Sequence, residues 1–301
     1  MSLSKEEKEF CINTLTGTER FHGAYEYPEE CYQFAELADK QVIEMPAVDG
    51  YTYTINIFTA KNKIEHSPVH VNVHGGGWFF EHHINDELWS AWLADKIKGV
   101  VVDVDYTLSK EAPWPVMFDQ CYDSAKYTYA HCDEWSCDPE KISLGGYSAG
   151  GSIVTSIGLK VGQTKDFPIA LIVNGYGPTD LRGCMGEYAK LDHPFESKHR
   201  SVCMLKLLLD GKEELLNDPY ASPAEAPDEW LAKMPRTLIC SGGECPFHND
   251  NEAFGSKLVS QGVEVTMRRF PGAQHGFIVH FMDQWEAAAE LIVRSILNSK
   301  A

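Results

Sequence analysis

The sequence has little positive charge and no long apolar run. Its 26 Lys and Arg face 44 Asp and Glu, a formal net charge of −18, so nucleic-acid phosphates and anionic lipid headgroups would be repelled. Neither nucleic acid nor a membrane is expected as a partner. No window approaches the roughly eighteen apolar residues of a spanning helix, and the start, MSLSKEEKEF, is charged where a secretory leader needs an apolar core. The nine cysteines are odd in number and form no C-x-x-C pair. That spacing speaks against a zinc module or a fully paired disulfide framework and favours reduced thiols in a cytoplasmic protein. Internal repeats and low-complexity tracts are absent as well.

What is present is an ordinary globular composition, 44% hydrophobic and 23% charged over 301 residues, long enough to bury a large core. Short β-branched runs alternate with segments of helical period, which predicts an α/β fold with a mostly parallel sheet covered by helices. Strands are expected at 51–58, 69–74, 100–105, 141–145, 169–174, 236–241 and 263–270. The first alternates and reads as a half-exposed edge; the middle ones are nearly continuously apolar and read as buried on both faces. Helices are expected at 86–98 and 116–131. A last one carries the stripe Trp285, Ala288, Ala289, Ile292 and Ile296. Two segments break the alternation: residues 1–45, helical and charged, and residues 181–233, which read as an inserted helical piece punctuated by Asp218-Pro219 and Ser222-Pro223.

Chemistry concentrates at strand ends. Gly146-Tyr147-Ser148-Ala149-Gly150 follows a predicted strand and opens a helix, the setting of a nucleophile elbow. Such a pentapeptide arises by chance in roughly one chain of this length in ten, so it needs company. His74-Gly75-Gly76-Gly77-Trp78 supplies it. Three consecutive glycines cost backbone entropy, and they suit backbone N–H groups that must approach a ligand closely, as in an oxyanion hole. The segment lacks the Gly-Lys-Ser/Thr ending of a phosphate loop and the spacing of a dinucleotide fingerprint.

A nucleophilic serine needs a base. Among twelve histidines, His275 lies where the chain leaves the carboxyl edge of the last predicted strand, the edge at which α/β sites form. The third group, which must accept a hydrogen bond from the other imidazole nitrogen, is expected to be Glu244, just past the strand at 236–241; Asp250 is its competitor but is better placed to start the following helix. The order Ser148, Glu244, His275 is nucleophile, acid, histidine. His82 and His83, with His66 or His70, have no metal-ligand spacing, so no metal and no cofactor are expected. Trp78, Tyr106 and Trp114 read as core, with a pocket border for an acetylated sugar as the alternative.

With these residues in place the sequence resembles the hormone-sensitive-lipase-like family of α/β-hydrolases, which contains bacterial carboxylesterases and acetyl esterases. The likeness runs from about Tyr51 onward, through His74-Gly-Gly-Gly77, Val104-Asp-Tyr-Thr-Leu108, Trp114-Pro115, Gly146-Tyr-Ser-Ala-Gly150, Asp218-Pro219 and Gly272-Ala-Gln-His-Gly-Phe277. It implies a single α/β-hydrolase domain over 1–301 with a helical cap from about 1–45 and 181–233. It also implies Ser148 as nucleophile, His275 as general base and acid, and the N–H groups of Gly76, Gly77 and Ala149 as oxyanion donors. In strict register the Asp of the family's Asp-Pro-Leu segment falls on Cys245, one position past Glu244, and Ser109-Lys110-Glu111 replaces the usual Ala-Pro-Glu. The activity to expect is hydrolysis of small, short-chain acyl esters through an acyl-enzyme. An amidase or formamidase on the same fold and a non-catalytic hydrolase-like binding protein are the alternatives, and a homo-oligomer is possible.

Overall fold

Valine-rich strands settle at the centre of the sheet because only a position covered on both faces can hide them. In the computed structural model, which describes residues 2–17, 27–186 and 198–301, β3 (Ser67–Val73) is buried along its whole length. It lies between β4 (Val100–Asp105) and β5 (Cys137–Tyr147), parallel to both. With β1 (Ala38–Val48), β2 (Tyr51–Ala60), β6 (Leu171–Gly175), β7 (Thr237–Gly242) and β8 (Val265–Phe270), the described residues form one eight-stranded sheet in the order β1-β2-β4-β3-β5-β6-β7-β8. Among the described residues only β1 with β2 and β2 with β4 pair antiparallel.

Period-two alternation sends neighbouring residues to opposite cores. Val100, Val102 and Val104 join the apolar cluster under α3 (Val116–Ala130) and α4 (Ala149–Thr164). Val101 and Phe58 join the one under α2 (Ile84–Ile97) and α9 (Trp285–Leu297). The predicted C-terminal stripe is there: Ala288, Ala289, Ile292 and Ile296 are fully buried and Trp285 packs at the margin. The predicted strands recur with ends moved by a few residues.

One sequence expectation fails. Residues 38–45, read as part of a charged helical segment, belong to the edge strand β1, so β2 is not the edge. Most of β1 is exposed, and its Asp39, Lys40 and Glu44 resemble the solvated face of a helix while serving the edge of a sheet, where charge discourages further pairing. Its register slips between Met45 and Val48, around Pro46, which has no N–H for the ladder.

Ahead of the sheet, α1 (Lys5–Thr16) begins with a capping box between Ser4 and Glu7. It packs on α6 (Lys198–Leu209) through Cys11, Leu15, Cys203 and Leu207, with Phe79 beneath. The described part of 181–233 holds α5 (Leu181–Gly186), α6, two short 3-10 turns and α7 (Asp228–Leu231), and no strand. Residues 18–26 and 187–197, which fall in the two segments expected to form a cap, lie outside the described residues. The helix α8 (His248–Ser260) follows β7.

Candidate active site

Ser148 stands between the last residue of β5 and the first of α4, with φ 55° and ψ −123°. A non-glycine residue in this region costs on the order of 1–3 kcal/mol and persists only where its surroundings enforce it. Here its N–H donates to the Gly175 carbonyl at 2.9 Å. Gly146 packs on the Gly150 carbonyl, and Gly150 packs on the carbonyls of Val73 and His74. A methyl on Gly150 would sit 2.6 Å from the His74 oxygen and closer still to that of Val73. Gly150→Ala is therefore expected to lower the thermal unfolding midpoint by several degrees or abolish soluble expression, since backbone on both sides must move. A melt matching wild type would show that the strand-to-helix turn tolerates expansion. The turn also places Ser148 at the positive end of α4.

His275 arrives from the loop after β8. Its Nε2 lies 2.8 Å from Ser148 Oγ and its Nδ1 lies 3.1 Å from Cys245 Sγ. Tyr176 and Phe247 pack edge-on against the ring, with centroids 5.1 and 5.5 Å away. Burial, with repulsion from His280, lowers the pKa of His275 from 6.5 to about 4. The imidazole is therefore neutral at pH 7 and free to take a proton.

The third position departs from the expectation. Glu244 is exposed, and its N–H donates to the Ala273 carbonyl at 3.0 Å, while no described contact joins its carboxylate to His275. The cause is the tight turn after β7, in which Cys245 N–H returns to the Gly242 carbonyl at 3.1 Å; adjacent side chains diverge, and Cys245, fully buried, is the one that faces inward. Asp250 lies in the first turn of α8 and accepts from Thr179 N–H at 2.6 Å and Thr179 Oγ1 at 2.8 Å. Burial raises its pKa to about 6, partly offset by those bonds. Register with the family motif was the signal that pointed to Cys245.

The glycine run lies against the serine: a methyl on Gly75 would stand 3.3 Å from Ser148 Cβ. Gly76 and Gly77 take φ of 97° and 62°, conformations glycine adopts without the Cβ penalty. The Gly76 carbonyl turns back to accept from the N–H groups of Phe79 and Phe80 at 3.1 and 2.9 Å. Tyr106 holds the start of the run: its hydroxyl donates to the carbonyls of His74 and Gly75 at 3.1 and 3.3 Å, and its ring stacks on His74 at 4.2 Å. Trp78 and Trp114 are core residues like Tyr106, each at most 5% exposed. Beyond the run, His82 Nε2 pairs with Asp103 Oδ2 on β4 at 2.7 Å. Burial alone would lower the pKa of His82, but the charge and hydrogen bond of Asp103 outweigh it and hold it up to about 10. His70, another of the tempting histidines, bonds Ser143 through Nδ1 at 2.8 Å. Among the described residues no three His, Cys, Asp or Glu side chains gather as a metal site.

A family model described as the alpha/beta hydrolase fold matches residues 70–279. The chain belongs to this family, the hormone-sensitive-lipase-like α/β-hydrolases. It is similar to an AB hydrolase superfamily protein of Schizosaccharomyces pombe, 29% identical over 208 residues that cover 67% of this chain and 61% of that one. It is also similar to the versiconal hemiacetal acetate esterase of Dothistroma septosporum, 27% identical over 242 residues covering 76% of this chain and 72% of that one. Among solved structures, carboxyl esterase 2 of the fungus Tuber melanosporum superposes with a TM-score of 0.82 at 24% identity, covering 99% of this α/β-hydrolase and all of that chain, a likeness of fold. Against that family pattern, this α/β-hydrolase keeps the serine, histidine and glycine run but carries a thiol where the motif has its acid. No helix among its described residues is long and apolar enough to cross a membrane.

Proposed function

We propose that this α/β-hydrolase is a serine carboxylesterase that cleaves small, short-chain acyl esters through an acyl-enzyme. The observation that carries the reading is the 2.8 Å approach of His275 Nε2 to the hydroxyl of Ser148, on a strained turn beside three glycines. In this reading the Ser148 O–H bond breaks as Oγ bonds the ester carbon, and the proton passes to His275 Nε2. The N–H groups of Gly76, Gly77 and Ala149 hold the negative oxygen, each donor worth about 10²–10³ in rate. His275 then protonates the departing alcohol, and water repeats the sequence on the acyl-enzyme.

A preference for small acyl groups is supported by Met204 of α6, whose sulfur packs directly over Gly77 and narrows the space beside the glycine run. The helices α1 and α6, packed on each other with Phe79 beneath, would act as the cap over it. The odd number of cysteines with no C-x-x-C pair supports reduced thiols and a cytoplasmic setting. The test is a series of nitrophenyl esters of acetyl, butyryl, octanoyl and dodecanoyl groups alongside matched anilides. We expect kcat/KM to fall about tenfold or more from butyryl to dodecanoyl, with anilides slower than any short ester. Faster anilide cleavage would move the assignment to an amidase, and a rise with chain length would remove the short-chain reading.

A further inference from the structure

We propose that Cys245 is the positioning residue of this site, its sulfur accepting the Nδ1–H of His275 in place of a carboxylate, and that the thiolate is the form that supports the full rate. The inference rests on the serine-esterase reading above. Cys245 is fully buried with Sγ 3.1 Å from Nδ1, on the side of the ring opposite Ser148. Both nearby carboxylates are accounted for elsewhere: Glu244 is exposed and Asp250 is held by Thr179. Among the described residues no carboxylate pairs with His275.

The chemistry follows from what sulfur can do that a carboxylate cannot. An ionised carboxylate only accepts, so it forces the ring proton onto Nδ1 and leaves Nε2 open for the serine proton. A thiol either accepts or donates. When S–H donates to Nδ1, the ring proton sits on Nε2 and Ser148 has no acceptor. Ionisation removes that idle arrangement, because a thiolate only accepts, and its charge balances the imidazolium that forms when Ser148 Oγ bonds the ester carbon. Throughout the cycle Nδ1–H stays on the ring and Nε2 alone carries the proton from serine to the leaving alcohol; the proton lost by Cys245 goes to solvent, and no electrons are exchanged. The other groups around this pair are Tyr176 from the loop after β6, His280 from the segment before α9, which repels a charged His275, and His248 of α8, whose Nδ1 lies 2.6 Å from the Cys245 carbonyl. Glu244 precedes it in the chain and faces solvent.

The experiment follows kcat and KM for nitrophenyl acetate across neutral to alkaline pH, corrected for spontaneous hydrolysis, in wild type and in Cys245→Ser, Cys245→Ala and Cys245→Asp, with thermal unfolding as the check on folding. Wild type should show a rate that rises on the alkaline side. Cys245→Asp should lack that rise and equal or exceed wild type at neutral pH. Cys245→Ser and Cys245→Ala should lose the rise and about 10²–10⁴ in kcat with KM little changed, as expected when only the orientation and charge partner of the histidine is removed. Should the buried aspartate prevent folding, the serine variant, close in size and without an accessible ionisation, carries the test alone. An alkaline rise that persists in Cys245→Ser, or a wild-type kcat in Cys245→Ala, overturns the inference. Absence of esterase activity in wild type, or its survival in Ser148→Ala, would instead defeat the underlying reading of the site.

Discussion

Ser148→Ala is expected to lower kcat for an activated ester by about 10⁴-fold or more, His275→Ala by a similar factor, and the double variant no further than either alone. The non-additivity is the informative part. Oγ and Nε2 are 2.8 Å apart, so in the proposed mechanism the serine is a nucleophile only while the histidine can take its proton, and losing either group disables the same step. Thermal unfolding should change little, because alanine occupies the same strained turn that the Gly146, Gly150 and Gly175 contacts impose. The pH dependence carries a second check. In the proposed mechanism His275 works as the neutral base, and burial places its pKa at about 4, so below the alkaline rise expected from Cys245, kcat/KM should hold as pH falls through 6.5 and drop only as it nears 4. A loss centred on 6.5 would mean a solvated imidazole and a looser site.

Much of this was legible in the chain because the signals are local. Valine runs such as Val100 to Val104 are buried on both faces whatever surrounds them, and the glycines around Ser148 and after His74 report a backbone that must pass close to other backbone. The strand β1 was not legible for the opposite reason: an edge strand exposed on much of its surface has little apolar period to show, and its charges read as a helix. Its place is decided by pairing with β2, a partner that local composition does not name.

The site divides along the same line. Ser148 and His275 follow from where strands end, since each sits just past a carboxyl edge. The third group depends on which of two adjacent side chains a turn directs inward, and chemistry suggested the carboxylate of Glu244 while geometry selected the thiol of Cys245. Tyr106 was read as core, His82 was weighed only as a metal ligand and set aside, and Asp103 was passed over, because nothing in their spacing announces which carbonyl or loop they will meet.

The His82–Asp103 pair leads to the second large effect. Asp103→Ala is expected to cost about 3–5 kcal/mol, because breaking a buried pair leaves the remaining partner without compensation; here it also strips the acceptor, 2.9 Å away, from the side-chain amide of Asn72. Asp103 is wholly buried and His82 nearly so, so solvent does little to replace what is lost. The unfolding midpoint should fall by about 10 °C, at roughly 2–4 °C per kcal/mol for a domain of this size class. The pH dependence has a definite sign. A histidine whose folded pKa is raised to about 10 contributes stability that is fully present below its ordinary value of 6.5 and fades as pH climbs through 10. The gap between wild type and Asp103→Ala should therefore be widest near pH 6 and narrow in alkali. Because His82 lies in the loop that follows the glycine run, five positions past Gly77, kcat should fall with stability, while the apolar double replacement His82→Leu with Asp103→Leu should recover much of the midpoint without the rate. A double variant that regained both would show that the pair stabilises the fold and leaves the glycine run to Tyr106 alone.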